Sequence, residues 1–129
     1  MFELTIKGDV YQFNFGMGFL REINKKISTP VDGLKDVNKN IGLQYIVSGV
    51  IDGDPEALVD LLEVANKGFS PRVSRNLLDS YIDDAETDID DLFKTVIDFL
   101  KNANATKKAV ETILEAVEKQ KAKEQANQN

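Results

Sequence analysis

Two helix stops, each followed at once by a helix start, fall close together in this chain and bound what it can fold into. Gly53 is followed by Asp54-Pro55, and Gly68 by Ser70-Pro71. Helices favour Gly just past the last turn, and a side-chain cap with Pro behind it at the start. Residues 40–100 therefore fold back on themselves as a succession of short helices, not as one long rod.

Apolar spacing supplies the buried faces. Leu43, Ile46, Val47, Val50 and Ile51 recur at i, i+3, i+4, i+7 and i+8, the stripe of an amphipathic helix whose start lies between Asp36 and Asn40. The next helix takes Asp54 as its cap, Pro55 at its first position and Glu56 near its positive end, with Leu58, Leu61, Leu62 and Ala65 facing inward. Ser70 is expected to cap a further helix led by Pro71, lined by Leu77, Leu78, Tyr81 and Ile82. Thr87 with Asp90 resembles a capping box, Asp replacing the usual Glu or Gln. Behind it Ile89, Leu92, Phe93, Val96, Ile97 and Leu100 match the helical template at every step. A last helix from about Thr106 carries Val110, Ile113, Leu114 and Val117. After Glu118 the chain holds only Lys, Gln, Glu, Ala and Asn, so residues 119–129 are expected to be a disordered tail.

The N-terminus has a different period. Phe2, Leu4 and Ile6 alternate with Glu3, Thr5 and Lys7, and Tyr11, Phe13 and Phe15 share a face beyond Gly8-Asp9. This predicts a β-hairpin with Gly8 at the first turn position. A lone hairpin is marginal in water and needs a helix against it. Leu20, Ile23 and Ile27, with Met17 a turn earlier, provide one, capped by Asn14 or Gly16 and stopped near Pro30. Residues 30–35 read as a loop around Asp32-Gly33. The expected fold is mainly α (α+β by strict count): one domain over residues 1–118, a bundle of about six helices with a hairpin at residues 1–15.

Composition narrows the chemistry. The chain has no Cys and no His, which removes thiolate chemistry, the commonest general base and the commonest transition-metal ligand. Ser48, Ser74 and Ser80 have no His to activate them. Gly16-Met17-Gly18 lacks the third Gly of a dinucleotide turn and the Lys of a P-loop. No apolar run reaches the roughly 18 residues of a membrane span, and the N-terminus alternates where a signal peptide would be basic and then apolar. A cytoplasmic, non-enzymatic protein without cofactor or metal is expected, binding neither membrane nor nucleic acid.

Charge is uneven. Residues 51–100 hold thirteen acidic and four basic side chains, a net −9 in a chain of net −6. Such a middle disfavours phosphate contacts, which need clustered Lys and Arg. Lys107, Lys108, Lys119, Lys121 and Lys123 are interspersed with Glu and with no aromatic residue. The densest run, residues 83–91, fails as a calcium loop: its sixth position is Asp88 where Gly is needed, and its twelfth is Lys94 where Glu is needed. These acids suit the positive end of the following helix. Asp83, Asp84, Glu86, Asp88, Asp90 and Asp91, with apolar neighbours, also form the surface expected to meet a partner. Phe19, Tyr45, Phe69 and Phe99 lie at the edges of the stripes and are the aromatic candidates for an exposed patch. The wide apolar faces also make self-association an expectation.

Five stretches taken in order resemble the tail assembly chaperones of long-tailed bacteriophages and prophages of Gram-positive bacteria. They are F-N-F-G-M-G-F-L-R-E-I-N-K at 13–25, G-L-Q-Y-I-V-S-G-V-I-D-G-D at 42–54, A-L-V-D-L-L-E-V-A-N-K-G at 57–68, P-R-V-S-R-N-L-L-D-S-Y-I-D-D at 71–84 and F-L-K-N-A-N-A-T-K-K at 99–108. The ordered set carries the match, not any one motif. The resemblance implies a non-enzymatic protein of the host cytoplasm that binds the tape measure protein, keeps it soluble, helps recruit tail tube protein and is absent from the mature virion. It also implies a longer form made by ribosomal frameshifting. The competing expectations are a generic helical protein–protein adaptor and, more remotely, an enzyme built on a cleft of carboxylates.

Overall fold

Strand β1 (Phe2–Ile6) and strand β2 (Asp9–Phe13) pair antiparallel, with Phe2 opposite Phe13 and Leu4 opposite Tyr11, in a computed structural model that describes residues 1–127. All four side chains are buried, as alternation predicts. The turn differs from expectation by one residue. Lys7 and Gly8 form it, with φ of 51° and 86°, and Asp9 pairs with Ile6. Two successive left-handed residues give the turn whose twist matches the strands; Lys at the first of them leaves no compositional signal.

Helix α1 (Met17–Asn24) follows the hairpin behind Gly16, which offers no side-chain cap, and packs against the second and third helices of the chain. Its buried residues are Phe19 and Ile23, while Met17 is exposed, so the inner face is rotated from the expected Met17–Leu20–Ile23 stripe. Phe19 meets Phe15 edge-on at 5.2 Å, and Phe2 lies 5.5 Å from Phe13, extending an aromatic layer from hairpin to helix.

The stretch read as a loop contains a second small hairpin. Strands β3 (Ser28–Pro30) and β4 (Asn38–Asn40) pair with Ser28 opposite Asn40. Three mostly polar residues per strand carry no alternating apolar signal, so sequence period does not reveal them. Helix α2 (Gly42–Ile51) then begins later than expected. Its start is set by tertiary contact: a Cβ on Gly42 would overlap the carbonyl oxygen of Ile23, and the Leu43 N–H donates to Asn24 Oδ1 at 3.3 Å. The end of α1 thus lies directly against the start of α2.

Helix α3 (Pro55–Ala65) follows the expected punctuation, with the Asp54 carboxylate accepting from the Glu56 N–H at 3.0 Å. Leu58, Leu61 and Leu62 are fully buried at the centre of the core. Helix α4 (Arg75–Asp83) does not start at Ser70-Pro71. Its cap is Ser74, whose hydroxyl accepts from the Leu77 N–H at 3.1 Å, and the Ser70-Pro71 peptide bond is cis. The intervening residues are held instead by buried Asn66, whose Oδ1 accepts from the Val73 N–H at 2.7 Å and from Arg72 Nη1 at 2.6 Å. A tertiary hydrogen-bond centre overrides the local cap signal.

Helices α5 (Ile89–Asn102) and α6 (Lys107–Asn127) close the bundle, with α6 lying against α5 and α2. Buried Thr106 sets the corner by donating to the Leu100 carbonyl at 2.6 Å. Val110 and Ile113 are the buried anchors of α6. Residues 119–127, expected as a tail, continue this helix, and every side chain from Glu118 to Ala126 is exposed. Residues 128 and 129 of that expected tail lie outside the described residues. Among the described residues six helices and an N-terminal antiparallel hairpin make a mainly α bundle, as the sequence predicts.

Candidate functional site

The acidic run occupies the corner between α4 and α5, and all six of its predicted site residues are exposed. Two serve the local backbone. The Asp84 carboxylate accepts from the Glu86 N–H at 3.0 Å, closing a turn after α4. The Asp88 carboxylate accepts from the Asp91 N–H at 3.0 Å and is the cap of α5. The cap expected at Thr87 therefore moves on by one residue, and the reciprocal bond of a capping box is absent among the described residues. Thr87 turns inward, its hydroxyl donating to the Tyr81 carbonyl at 2.6 Å.

The other four carboxylates have no hydrogen-bond or ion-pair partner among the described residues. Asp90 and Asp91 sit in the first turn of α5, where the helix dipole favours them. Asp83 occupies the last turn of α4, where the dipole opposes it, and Glu86 lies between the helices. Local structure accounts for two of the acids and tolerates two more. The concentration of charge exceeds what capping requires.

A groove of about 580 Å³ opens beside this corner. One wall is the whole of β1 with Lys7; the other brings Asp84, Glu86, Asp88 and Asp91 together with Tyr81 and Leu92. Glu3 joins these from the strand, so five carboxylates face one cation. Asp83 and Asp90 stand outside it. The contribution of Glu3 and Lys7 has no sequence signal, because some eighty residues separate them from the acidic run. Among the described residues no three His, Cys, Asp or Glu side chains are placed to hold a metal ion. The groove is suited to long-range attraction of a basic segment and to contact with its apolar side chains.

The aromatic candidates divide. Phe19 is buried and Phe69 half-buried, whereas Tyr45 is 64% exposed. Phe99 is at the surface beside Met1 and Met17, above a recess whose floor includes Phe2, Phe13 and Phe15. Arg75 bridges α4 to α3 by pairing with Asp60 at 2.8 Å and Glu63 at 3.4 Å, and the Asp60 hydrogen bond holds its guanidinium above the ordinary value. No helix among the described residues is long and apolar enough to cross a membrane.

Neither a curated protein nor a solved structure matches the chain. The family model described as phage tail assembly chaperone protein, TAC, matches residues 3–115, which takes in both hairpins, helices α1 to α5 and the buried part of α6. This chain belongs to the phage tail assembly chaperone family.

Proposed function

We propose that this chaperone binds the tape measure protein through the α4–α5 corner, keeps it soluble, and helps recruit tail tube protein during tail assembly. It acts in the host cytoplasm and leaves before the virion is complete, and no catalytic step is part of this reading. The observation that carries the docking surface is the surplus of carboxylates at residues 83–91 beside an open groove of mixed polar and apolar lining. A basic, partly apolar helical segment complements that arrangement in both charge and surface.

Co-expression with the tape measure protein tests the role. The soluble fraction of the tape measure protein is expected to rise with this chain present; no change in solubility removes the chaperone–tape measure pairing. Asp83→Lys, Glu86→Lys and Asp91→Lys together test the surface, since none of these carboxylates holds a fold hydrogen bond among the described residues. Pull-down of the tape measure protein is expected to fall and to become less salt-sensitive. Unaltered binding moves the docking surface elsewhere while leaving the family role intact.

A further inference from the structure

A second groove, of about 600 Å³, runs between α1 and the end of α3. It shares no residue with the groove at the α4–α5 corner. Phe19, Val64 and Ala65 form its floor, with half-buried Phe69 at one side. Arg21, Lys25 and Lys67 line it against one carboxylate, Glu22, so the sign of charge is opposite to that of the acidic corner.

These cations are available. Arg21 on α1 and Lys25 just past its end are exposed and four residues apart, and neither has a side-chain partner among the described residues. Lys67 pairs with Glu22 at 3.2 Å, but both side chains are 48% exposed, and such a surface pair is weak and exchangeable. Helix C-termini favour nearby cations, which accounts for Lys25 and Lys67 in part. It does not account for Arg21, for half-buried Phe69 at the groove's side, or for Gly18, where the space for a side chain lies open.

We infer that this groove docks an acidic, amphipathic helical segment of a protein partner. Its carboxylates meet Arg21, Lys25 and Lys67, and its apolar face covers Phe69 and the floor around Phe19. Nucleic acid fits less well: three cations give a small footprint, and the chain's net charge of −6 repels a dense polyanion. With one acidic and one basic groove on separate elements, a single copy can hold two oppositely charged segments together. The inference does not depend on what the acidic corner binds.

Fluorescence anisotropy on the full chain tests it, with a labelled synthetic helix bearing Glu on one face and Leu on the other. A Gln-for-Glu version and a single-stranded oligonucleotide serve as competing probes. The Glu helix is expected to bind, with affinity falling about tenfold in Arg21→Glu/Lys25→Glu. Gly18→Trp, which sets an indole at the groove from a position where a Cβ meets no atom within 4 Å, is expected to block it while the circular dichroism spectrum and melting curve stay those of a folded chain. Asp83→Lys/Glu86→Lys is expected to leave it unchanged. Absence of binding, equal binding of the Gln helix, equal or tighter binding of the oligonucleotide, or indifference to both groove variants overturns the inference.

Discussion

Asn66, just past the end of α3, donates a 2.9 Å hydrogen bond from Nδ2 to the backbone carbonyl of Gln12, 54 residues earlier in the chain. The same fully buried side chain accepts from Val73 N–H and Arg72 through Oδ1. One amide therefore ties the hairpin, α3 and the approach to α4. Replacing it with Leu strands Gln12 and Val73 polar groups away from water. Unmet buried groups cost about 1–3 kcal/mol each, so Asn66→Leu is expected to destabilise by roughly 3 kcal/mol in urea unfolding followed by circular dichroism. The denaturant slope should hold if the unfolded state is unaltered.

Gly42 reverses a familiar trend. In a solvent-exposed helix interior, replacing Gly with Ala stabilises by about 1 kcal/mol. Here the added methyl group would collide with the Ile23 carbonyl, a backbone atom that cannot rotate away. Overpacking costs about 1–3 kcal/mol, so Gly42→Ala is expected to lower the melting temperature. Gly18→Ala, with open space at the same atom, is expected to raise it slightly.

Asp88 allows capping and recognition to be separated. Asn caps a helix about as well as Asp, whereas Ala lacks the acceptor and costs about 1 kcal/mol. Asp88→Asn should leave thermal stability nearly unchanged and weaken tape measure pull-down modestly, by removal of one charge. Asp88→Ala should lose stability as well. Equal melting of both variants would show that the Asp91 N–H does not depend on this cap.

Deletion of residues 119–129 removes no buried side chain that the structure describes. Surface changes away from packed features stay within about 0.5 kcal/mol, so the shortened chain is expected to unfold at nearly the same urea concentration. Loss of more than that would indicate packing by the end of α6.

Where the fold was legible, one local period decided it. In α5, Leu92, Val96 and Leu100 are buried and Ile89, Phe93 and Ile97 pack partly against them, as their spacing predicts. The misses share another cause. Ser70-Pro71 carries a plausible start signal, but Asn66 binds the following backbone and delays α4 to Ser74. The β3–β4 hairpin has too few apolar residues to announce itself, and α2 begins where the end of α1 lets it begin. The acidic corner was readable as a run of charge. Its wall of β1 residues was not, nor was the basic groove, because α1 and α3 meet there only after folding.

Among the described residues the sheet formed by β1 and β2 has just two strands, so the outer edge of β1, which lines the acidic groove, carries backbone groups with no neighbouring strand there. Open edges of this kind invite a second chain to add a strand, the first step towards cross-β aggregates. Any copy approaching in that way brings its own Glu3 and its own residues 83–91, and like charge confronts like charge at short range. The carboxylates beside β1 thus oppose edge-to-edge pairing of copies, and salt, which screens exposed charges, weakens that opposition.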